Sequence, residues 1–203
     1  MWRNVVYGLT IVALGLGGFA TLALATDGYR AFTAEEARRL AARENPAPVP
    51  AVTLEDARGG ELDLARFGDR YVVLDFIYTG CHRACTTLGA SFHRIQEALP
   101  EEVLGNRVAL LSITFDLEND DAARLREYGE RFGANPDAWY MARTRDQGEL
   151  DRLLKHFQVV VIPDGEDFAH NGAIYVVGPD GILQGIHDID AVDEVVAYLE
   201  PRL

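Results

Sequence analysis

Residues 71–86 read YVVLDFIYTGCHRACT, and this stretch decides the fold. Seven of its first eight residues are apolar, which is typical of a strand buried on both faces of a sheet. Gly80 then permits a sharp turn, and apolar side chains recur at helical spacing over residues 81–99. We therefore predict a buried central strand that leads directly into a helix beginning at Cys81.

Strands and helices alternate along the rest of the chain. Turn signals, apolar runs and helical periodicity predict the other elements. They are a hairpin across residues 59–60, a buried strand over 107–115, a short strand at 139–141, helices over 120–132, 147–157 and 191–199, and a hairpin across 178–181. This order predicts an α/β fold, with a thioredoxin-like central mixed β-sheet flanked by helices.

Residues 1–26 are predicted to be a transmembrane anchor. The run from Val5 to Ala25 has no charged residue, and its 21 residues are enough to cross the hydrocarbon core as a helix. Arg3 before the run predicts that the C-terminal domain lies outside the cytoplasm. Because no Arg-rich, acid-poor transit segment precedes the run, we expect a single-pass protein of a bacterial inner membrane with this domain in the periplasm. A cleaved signal peptide is the alternative, because Ala23-Leu24-Ala25 fits a cleavage site, but the length of the run favours an anchor.

Residues 27–48 are predicted to form a linker. Thr33, followed three residues later by Glu36, is a candidate N-cap for a short amphipathic helix. The alternating prolines of residues 45–50 favour a stiff, extended spacer. The folded domain is therefore assigned to residues 49–203.

Charge and cysteine content narrow the function classes. The formal net charge is −13, whereas nucleic-acid binding needs clustered positive charge, so nucleic acid is excluded as a partner. Cys81 and Cys85 are the two cysteines, four positions apart, whereas a disulfide scaffold has more cysteines spread along the chain. The pair therefore predicts a functional site, with a structural disulfide and two inert core thiols as the alternatives.

The position of the cysteines at a helix start predicts their chemistry. Helix N-termini favour anions, so the thiol pKa values are expected to fall. Residues i and i+4 have Cβ atoms about 5–6 Å apart in a helix, whereas a relaxed disulfide needs about 3.8 Å. A shared soft ion, Cu(I) or zinc, is therefore favoured over a disulfide. Structural zinc usually takes four ligands, so Cu(I) with one added histidine is the prediction.

Five histidines could supply that third ligand, and the residues alone leave the choice open. They are His82, His93, His156, His170 and His187. His170 lies in a polar loop predicted just before a buried strand, and its alternative is a solvated loop histidine. His82 lies between the cysteines, where its ring is expected to point away from their face.

Three motifs follow one another along the domain. They are Phe76-Ile77-Tyr78-Thr79-Gly80-Cys81 to Cys85; Ser112 to Asp116, followed by Arg126-Glu127-Tyr128 to Phe132-Gly133; and His170 to Ile174-Tyr175 and Pro179-Asp180-Gly181. In this order they resemble the Sco/SenC family of copper chaperones for cytochrome c oxidase, over residues 49–200.

The resemblance implies that Cys81, Cys85 and His170 bind copper, with Cu(I) favoured and Cu(II) also accepted. It implies a metallochaperone rather than an enzyme, assisting copper-site assembly in cytochrome c oxidase on the periplasmic side. The copper-accepting client is then expected to be oxidase subunit II. Cys81 and Cys85 are also expected to be a redox-active pair that can form a disulfide. Asp116 matches an acidic family position near the site, with an N-cap or a solvated carboxylate as alternatives.

Three departures from the family pattern concern residues next to the ligands. Many members have proline after each cysteine, where His82 and Thr86 stand, and aspartate before the histidine, where Ala169 stands. Two other functions stay open. The first is an envelope thiol–disulfide oxidoreductase that acts on cysteines of a copper-protein client and has a reducing thioredoxin-like partner. The second is a thiol peroxidase. The CxxxC spacing and the presence of His170 favour the chaperone.

Overall fold

The apolar N-terminal run forms one long helix, α1 (Trp2–Ala25). It belongs to a computed structural model that describes residues 2–81, 84–165 and 167–203. By length and composition, α1 is long and apolar enough to cross a membrane, with a mean hydropathy of 1.9. None of its residues is buried within the protein.

The first of two units, Met1–Asn45, also contains α2 (Ala34–Glu44). The Thr33 hydroxyl accepts a hydrogen bond from the backbone N–H of Glu36 at 3.1 Å. The Glu36 carboxylate in turn accepts one from the backbone N–H of Thr33 at 3.0 Å. This reciprocal capping box confirms the predicted N-cap of the helix.

The second unit, Pro46–Leu203, contains a seven-stranded sheet and a separate two-stranded sheet. Its elements are β1 (Thr53–Asp56), β2 (Glu61–Asp63), β3 (Tyr71–Ile77), α3 (Ala84–Ala98), β4 (Val108–Thr114), α4 (Ala122–Arg131), β5 (Trp139–Thr144), α5 (Gln147–His156), β6 (Val161–Asp164), β7 (Asp167–His170), β8 (Ile174–Val177), β9 (Leu183–His187) and α6 (Val192–Leu199). Short 3₁₀ turns lie at Leu64–Phe67 and Glu200–Arg202. The order in the large sheet is β2-β1-β5-β4-β3-β8-β9.

The strand β3 lies inside this sheet, as the sequence predicts. It pairs in parallel with β4 from Tyr71 opposite Val108 to Ile77 opposite Thr114, and antiparallel with β8. Every residue of β4 is buried. Because parallel strands point the same way, the segments that follow Ile77 and Thr114 meet at one edge of the sheet, where α/β proteins bind their ligands.

Helices cover both faces of the sheet. Neighbouring residues of a strand point to opposite sides, so each strand contributes side chains to both faces. On one face Phe76 packs against Phe157, which directly follows α5, with ring centroids 5.4 Å apart. On the other face Trp139 packs against Phe92 of α3 at 5.5 Å and donates its indole N–H to Ser112 at 3.0 Å. Ser112 is paired with the residue before Phe76, so the two faces are distinct. The predicted mixed α/β sheet flanked by helices is confirmed.

The segment before β8 differs from the prediction. A polar loop is predicted for residues 164–171, but this region contains an antiparallel hairpin of β6 and β7, with Val161 opposite His170. The prediction is wrong because Pro163 and Gly165 are residues typical of loops. A strand of a two-stranded sheet has a free edge, however, and a strand at an edge tolerates proline. His170 is therefore the last residue of a strand.

Asp75 is a buried carboxyl in the middle of β3. It is 0% exposed, and neither carboxyl oxygen has a hydrogen-bond partner among the described residues. Burial raises the pKa of Asp75 to about 7, and the neighbouring Ser112 hydroxyl offsets this only in part. The ionised form is therefore unfavourable here, and it destabilises the fold at neutral and alkaline pH.

Replacing Asp75 by Asn should stabilise the protein above neutral pH. The folded state keeps the Asp75 proton up to about pH 7, whereas the unfolded state loses it near pH 4, so the free energy of unfolding falls with rising pH between these values. Because Asn stays neutral, D75N should be more stable than the wild type by about 2–4 kcal/mol at pH 8 and equal to it below pH 4. Urea unfolding of the full chain in detergent micelles measures this difference.

The exposed Asp137 provides the matched control, because its side chain is 91% exposed. D137N should leave the pH dependence of unfolding unchanged. A D75N protein with the wild-type slope between pH 4 and 7 would show that Asp75 does not titrate in this range.

Candidate metal site

The two cysteines lie where β3 ends and α3 begins. Cys81 follows the strand after Tyr78, Thr79 and Gly80, and Cys85 lies in the first turn of α3. Cys81 is 5% exposed and Cys85 is 0% exposed, and both are free thiols. The backbone N–H of Cys85 donates to the Cys81 sulfur at 3.2 Å. A helix amide therefore faces the Cys81 sulfur and favours negative charge on it.

The Cys85 thiol contradicts the expectation of a lowered pKa. Its hydrogen bond with Cys81 raises the pKa of Cys85, and burial raises it further. The expectation is wrong for this residue because its thiol is hydrogen-bonded to Cys81 and is also enclosed by the protein, and both favour the protonated form. Cys85 therefore keeps its proton at neutral pH, and a metal ion that binds its sulfur must displace that proton.

His170 brings an imidazole to the cysteines from a different part of the chain. Its Nε2 lies 3.9 Å from the Cys85 sulfur. One ion with bonds of about 2.0–2.3 Å to nitrogen and sulfur can bridge such a pair, because the bond lengths together exceed the separation. The predicted pairing of His170 with the CxxxC segment is therefore geometrically feasible in the folded protein.

The donor set fits a soft metal ion, since two thiols and one imidazole suit Cu(I). Cys85 and His170 are in direct contact, and Cys81 adjoins them through the amide and thiol of Cys85. Within the described ranges, no group of three or more Cys, His, Asp and Glu side chains is already arranged to hold a metal ion. The structure thus places the three predicted residues in one neighbourhood, and a single ion bound by all three would require their donor atoms to come closer together.

An aromatic cluster surrounds the His170 ring. Tyr78 after β3, Phe115 after β4 and Phe168 of β7 pack against one another, with ring centroids 5.1–5.6 Å apart. The His170 ring lies edge-on to Phe115 at 5.1 Å and to Tyr78 at 6.4 Å. A side chain at position 172 would come within 3.1 Å of the His170 ring, so Gly172 leaves room for it. These contacts fix the orientation in which Nε2 faces Cys85.

Asp120 is a site residue that the sequence analysis did not identify. Its carboxylate is 1% exposed and accepts hydrogen bonds from the Thr79 N–H at 2.9 Å and from the hydroxyls of Thr79 and Thr114, both at 2.5 Å. It therefore ties the segment before Cys81 to the end of β4. The only sequence signal is its place beside Asp121, the N-cap of α4. Its burial cannot be seen in the sequence, because Thr79 lies 41 positions away.

Asp116, the acidic residue suggested by the family resemblance, has a local role in the loop after β4. Its carboxylate accepts hydrogen bonds from the backbone and the side-chain amide of Asn119, and its own N–H donates to Thr114. The N-cap alternative is wrong, because Asp121 caps α4. A direct role of Asp116 toward the thiols stays a prediction.

The other histidines have neighbours elsewhere in the fold. His93 lies 3.5 Å from Glu97, and its side chain is 41% exposed. The imidazole of His187 lies 3.6 Å from Glu194, and that of His156 packs on Phe157. Burial lowers the pKa of His156. His82, one of the departures from the family pattern, lies outside the described residues.

A mixed sheet with a dithiol where its inner strand ends, faced by an imidazole from a hairpin, defines a thioredoxin-like protein with a thiol–imidazole site. The family model described as SCO1/SenC matches residues 41–199, which is most of the chain. The chain belongs to the SCO1/SenC family.

Known proteins of this family resemble the chain along much of its length. A SCO1 protein homolog of Bacillus subtilis (strain 168) is 30% identical over 132 residues, which are 64% of this chain and 67% of that protein. BsSco, a Sco-family cytochrome c oxidase assembly protein with a disulfide switch, is 24% identical with a TM-score of 0.67, covering 77% of this chain and 94% of that one. Arabidopsis thaliana ScoI with copper bound is 19% identical with a TM-score of 0.64, covering 76% and 99%. These likenesses confirm the predicted thioredoxin-like fold.

Replacing Asp120 by Asn should destabilise the segment that carries Cys81. An amide has one acceptor oxygen instead of two, so D120N should lower the free energy of unfolding by about 1–3 kcal/mol. The neighbouring substitution D121N is the matched control, because Asn caps a helix as well as Asp, and it should cost less than about 0.5 kcal/mol. Urea unfolding of both variants measures the difference. Equal stability of the two variants would contradict a special role for Asp120.

Proposed function

We propose that the chain is a copper-binding metallochaperone, with Cys81, Cys85 and His170 as the ligands of its cargo ion. The observation that carries the proposal is the 3.9 Å contact between the Cys85 sulfur and His170 Nε2, with the Cys81 sulfur beside Cys85. Membership of the SCO1/SenC family and the copper bound to Arabidopsis thaliana ScoI support it.

The site favours Cu(I) as cargo, because thiolate sulfur is a soft ligand and Cu(I) a soft ion. Cys85 gives up its proton when the ion binds, and the amide directed at Cys81 stabilises the negative charge on that sulfur. His170 binds as a neutral imidazole through Nε2, held in place by the aromatic cluster. Cu(II) is accepted by the same nitrogen and sulfur atoms with weaker preference.

The proposed client is a copper-accepting protein in the periplasm, with cytochrome c oxidase subunit II as the candidate. The support for this step is the relative BsSco, a member of the Sco family of cytochrome c oxidase assembly proteins. The proposed location is a bacterial inner membrane, with α1 as a single-pass anchor and the domain on the periplasmic side. Its support is the length and apolar composition of α1 and the position of Arg3 before the apolar run.

A thiol–disulfide oxidoreductase is the second candidate function. The hydrogen bond between the Cys85 thiol and Cys81 favours this function, because it makes the two sulfurs neighbours. The disulfide switch of the relative BsSco favours it as well. In this reaction Cys81 and Cys85 form a disulfide and release two electrons and two protons, which reduce a client disulfide to two thiols. A reducing thioredoxin-like partner then restores the dithiol of the protein.

Anaerobic Cu(I) competition titration of the full chain in detergent micelles tests the proposal. The wild type should bind one Cu(I) per chain, and C81S, C85S and H170A should each weaken binding by about tenfold or more, because each removes a ligand. The exposed histidine variant H93A is the matched control and should bind like the wild type. Weak binding that H170A leaves unchanged, together with rapid dithiol turnover, would favour the oxidoreductase.

A further inference from the structure

Tyr128 of α4 reaches across to the backbone of the ligand Cys85. Its hydroxyl donates to the Cys85 carbonyl oxygen at 3.0 Å, and its side chain is 1% exposed. In an α-helix that carbonyl already accepts the N–H of residue 89, so Tyr128 adds a second donor from a different helix. A hydroxyl buried this deeply is unfavourable unless it is hydrogen-bonded, so the bond specifies tyrosine rather than phenylalanine at this position.

The contact between α4 and α3 continues beyond Tyr128. The Phe132 ring packs against Tyr128 at 4.9 Å and also covers Gly89 of α3, where a Cβ atom would fall 2.5 Å from that ring. About two turns further on, Gln96 donates to the Gly133 carbonyl at 3.0 Å and accepts the N–H of Asn135 at 2.7 Å. The family motif from Tyr128 to Gly133 therefore contacts one face of α3 at three positions, Cys85, Gly89 and Gln96.

This packing bears on the metal site, because the ligands belong to separate elements. Cys85 belongs to α3, whereas His170 belongs to the β6–β7 hairpin. Their 3.9 Å separation therefore depends on the position of the first turn of α3. We propose that Tyr128 is a positioning residue that fixes Cys85 relative to His170, supported by Phe132 over Gly89. This inference rests on the proposed copper function and extends it to α4.

The conservative substitution Y128F tests the inference, because it removes the hydroxyl and keeps the ring. On the full chain in detergent micelles, Y128F should bind Cu(I) about three- to tenfold more weakly than the wild type, the range of one lost hydrogen bond. In the metal-free, reduced protein, iodoacetamide should modify Cys85 several-fold faster, measured by mass spectrometry. Faster modification reports opening of the first turn of α3 without reference to copper.

The matched control is Y198F, which also removes one tyrosine hydroxyl bond, that to Gln184 at 3.0 Å. It should lose a similar amount of stability but keep Cu(I) affinity and Cys85 modification within about twofold of the wild type. A general loss of stability would affect Y128F and Y198F alike, whereas a positioning role affects Y128F alone.

Gly89→Ala provides a second variant that leaves the tyrosine hydroxyl in place. The added Cβ would displace the Phe132 ring and should weaken Cu(I) binding in the same direction, so it decides the question if Y128F does not fold. A folded Y128F that matches the wild type in both measurements would overturn the inference and leave the proposed function standing. A wild type that fails to bind Cu(I) would overturn the proposed function, and Cys85 modification would then decide the positioning role by itself.

Discussion

The parallel pairing of β3 with β4 is the constraint on which the rest of the site depends. Its register runs unbroken from Tyr71 opposite Val108 to Ile77 opposite Thr114, so both strands release their next residues at the same edge. There the Thr79 and Thr114 hydroxyls converge on one buried carboxylate, that of Asp120. A slip of one residue would turn every side chain of the strand to the opposite face and separate these partners. The position of the dithiol is therefore set by the sheet before any local preference of the CxxxC segment acts.

Two buried carboxyls, that of Asp120 at this edge and that of Asp75 in the middle of β3, show how differently burial acts on a charge. Asp120 accepts three hydrogen bonds and holds a loop to a strand. Asp75 lies in β3 with no such partner among the described residues, and its charge also contributes to the raised pKa values of Cys85 and Tyr128. A buried group whose burial is offset only in part opposes stability, and proteins accept such conflicts mainly near functional sites. The presence of Asp75 in β3 is therefore not explained by packing alone.

The sequence predicted the elements that depend on local pattern and missed the features that depend on tertiary contacts. The apolar run of β3 and the capping box at Thr33 could be inferred from neighbours in the chain. The helix α3 could be inferred too, but it begins at Ala84 instead of the predicted Cys81. The role of Asp120 could not, because its partners lie in two separate segments. The raised pKa of Cys85, which comes from its hydrogen bond with Cys81 and from burial, is likewise a property of the assembled fold. The choice of His170 among five histidines came from the family resemblance, since a ligand from a distant hairpin leaves no spacing signal.

The division of the site between two sheets has a kinetic consequence. The cysteines follow a strand of the seven-stranded sheet, whereas His170 ends a strand of the separate two-stranded sheet. In the proposed copper site, a cargo ion bound by these residues would be able to exchange its ligands one at a time, with an incoming donor replacing the imidazole while both sulfurs still hold the ion. Tight retention in the absence of a client and rapid release in its presence would therefore be compatible in such a site.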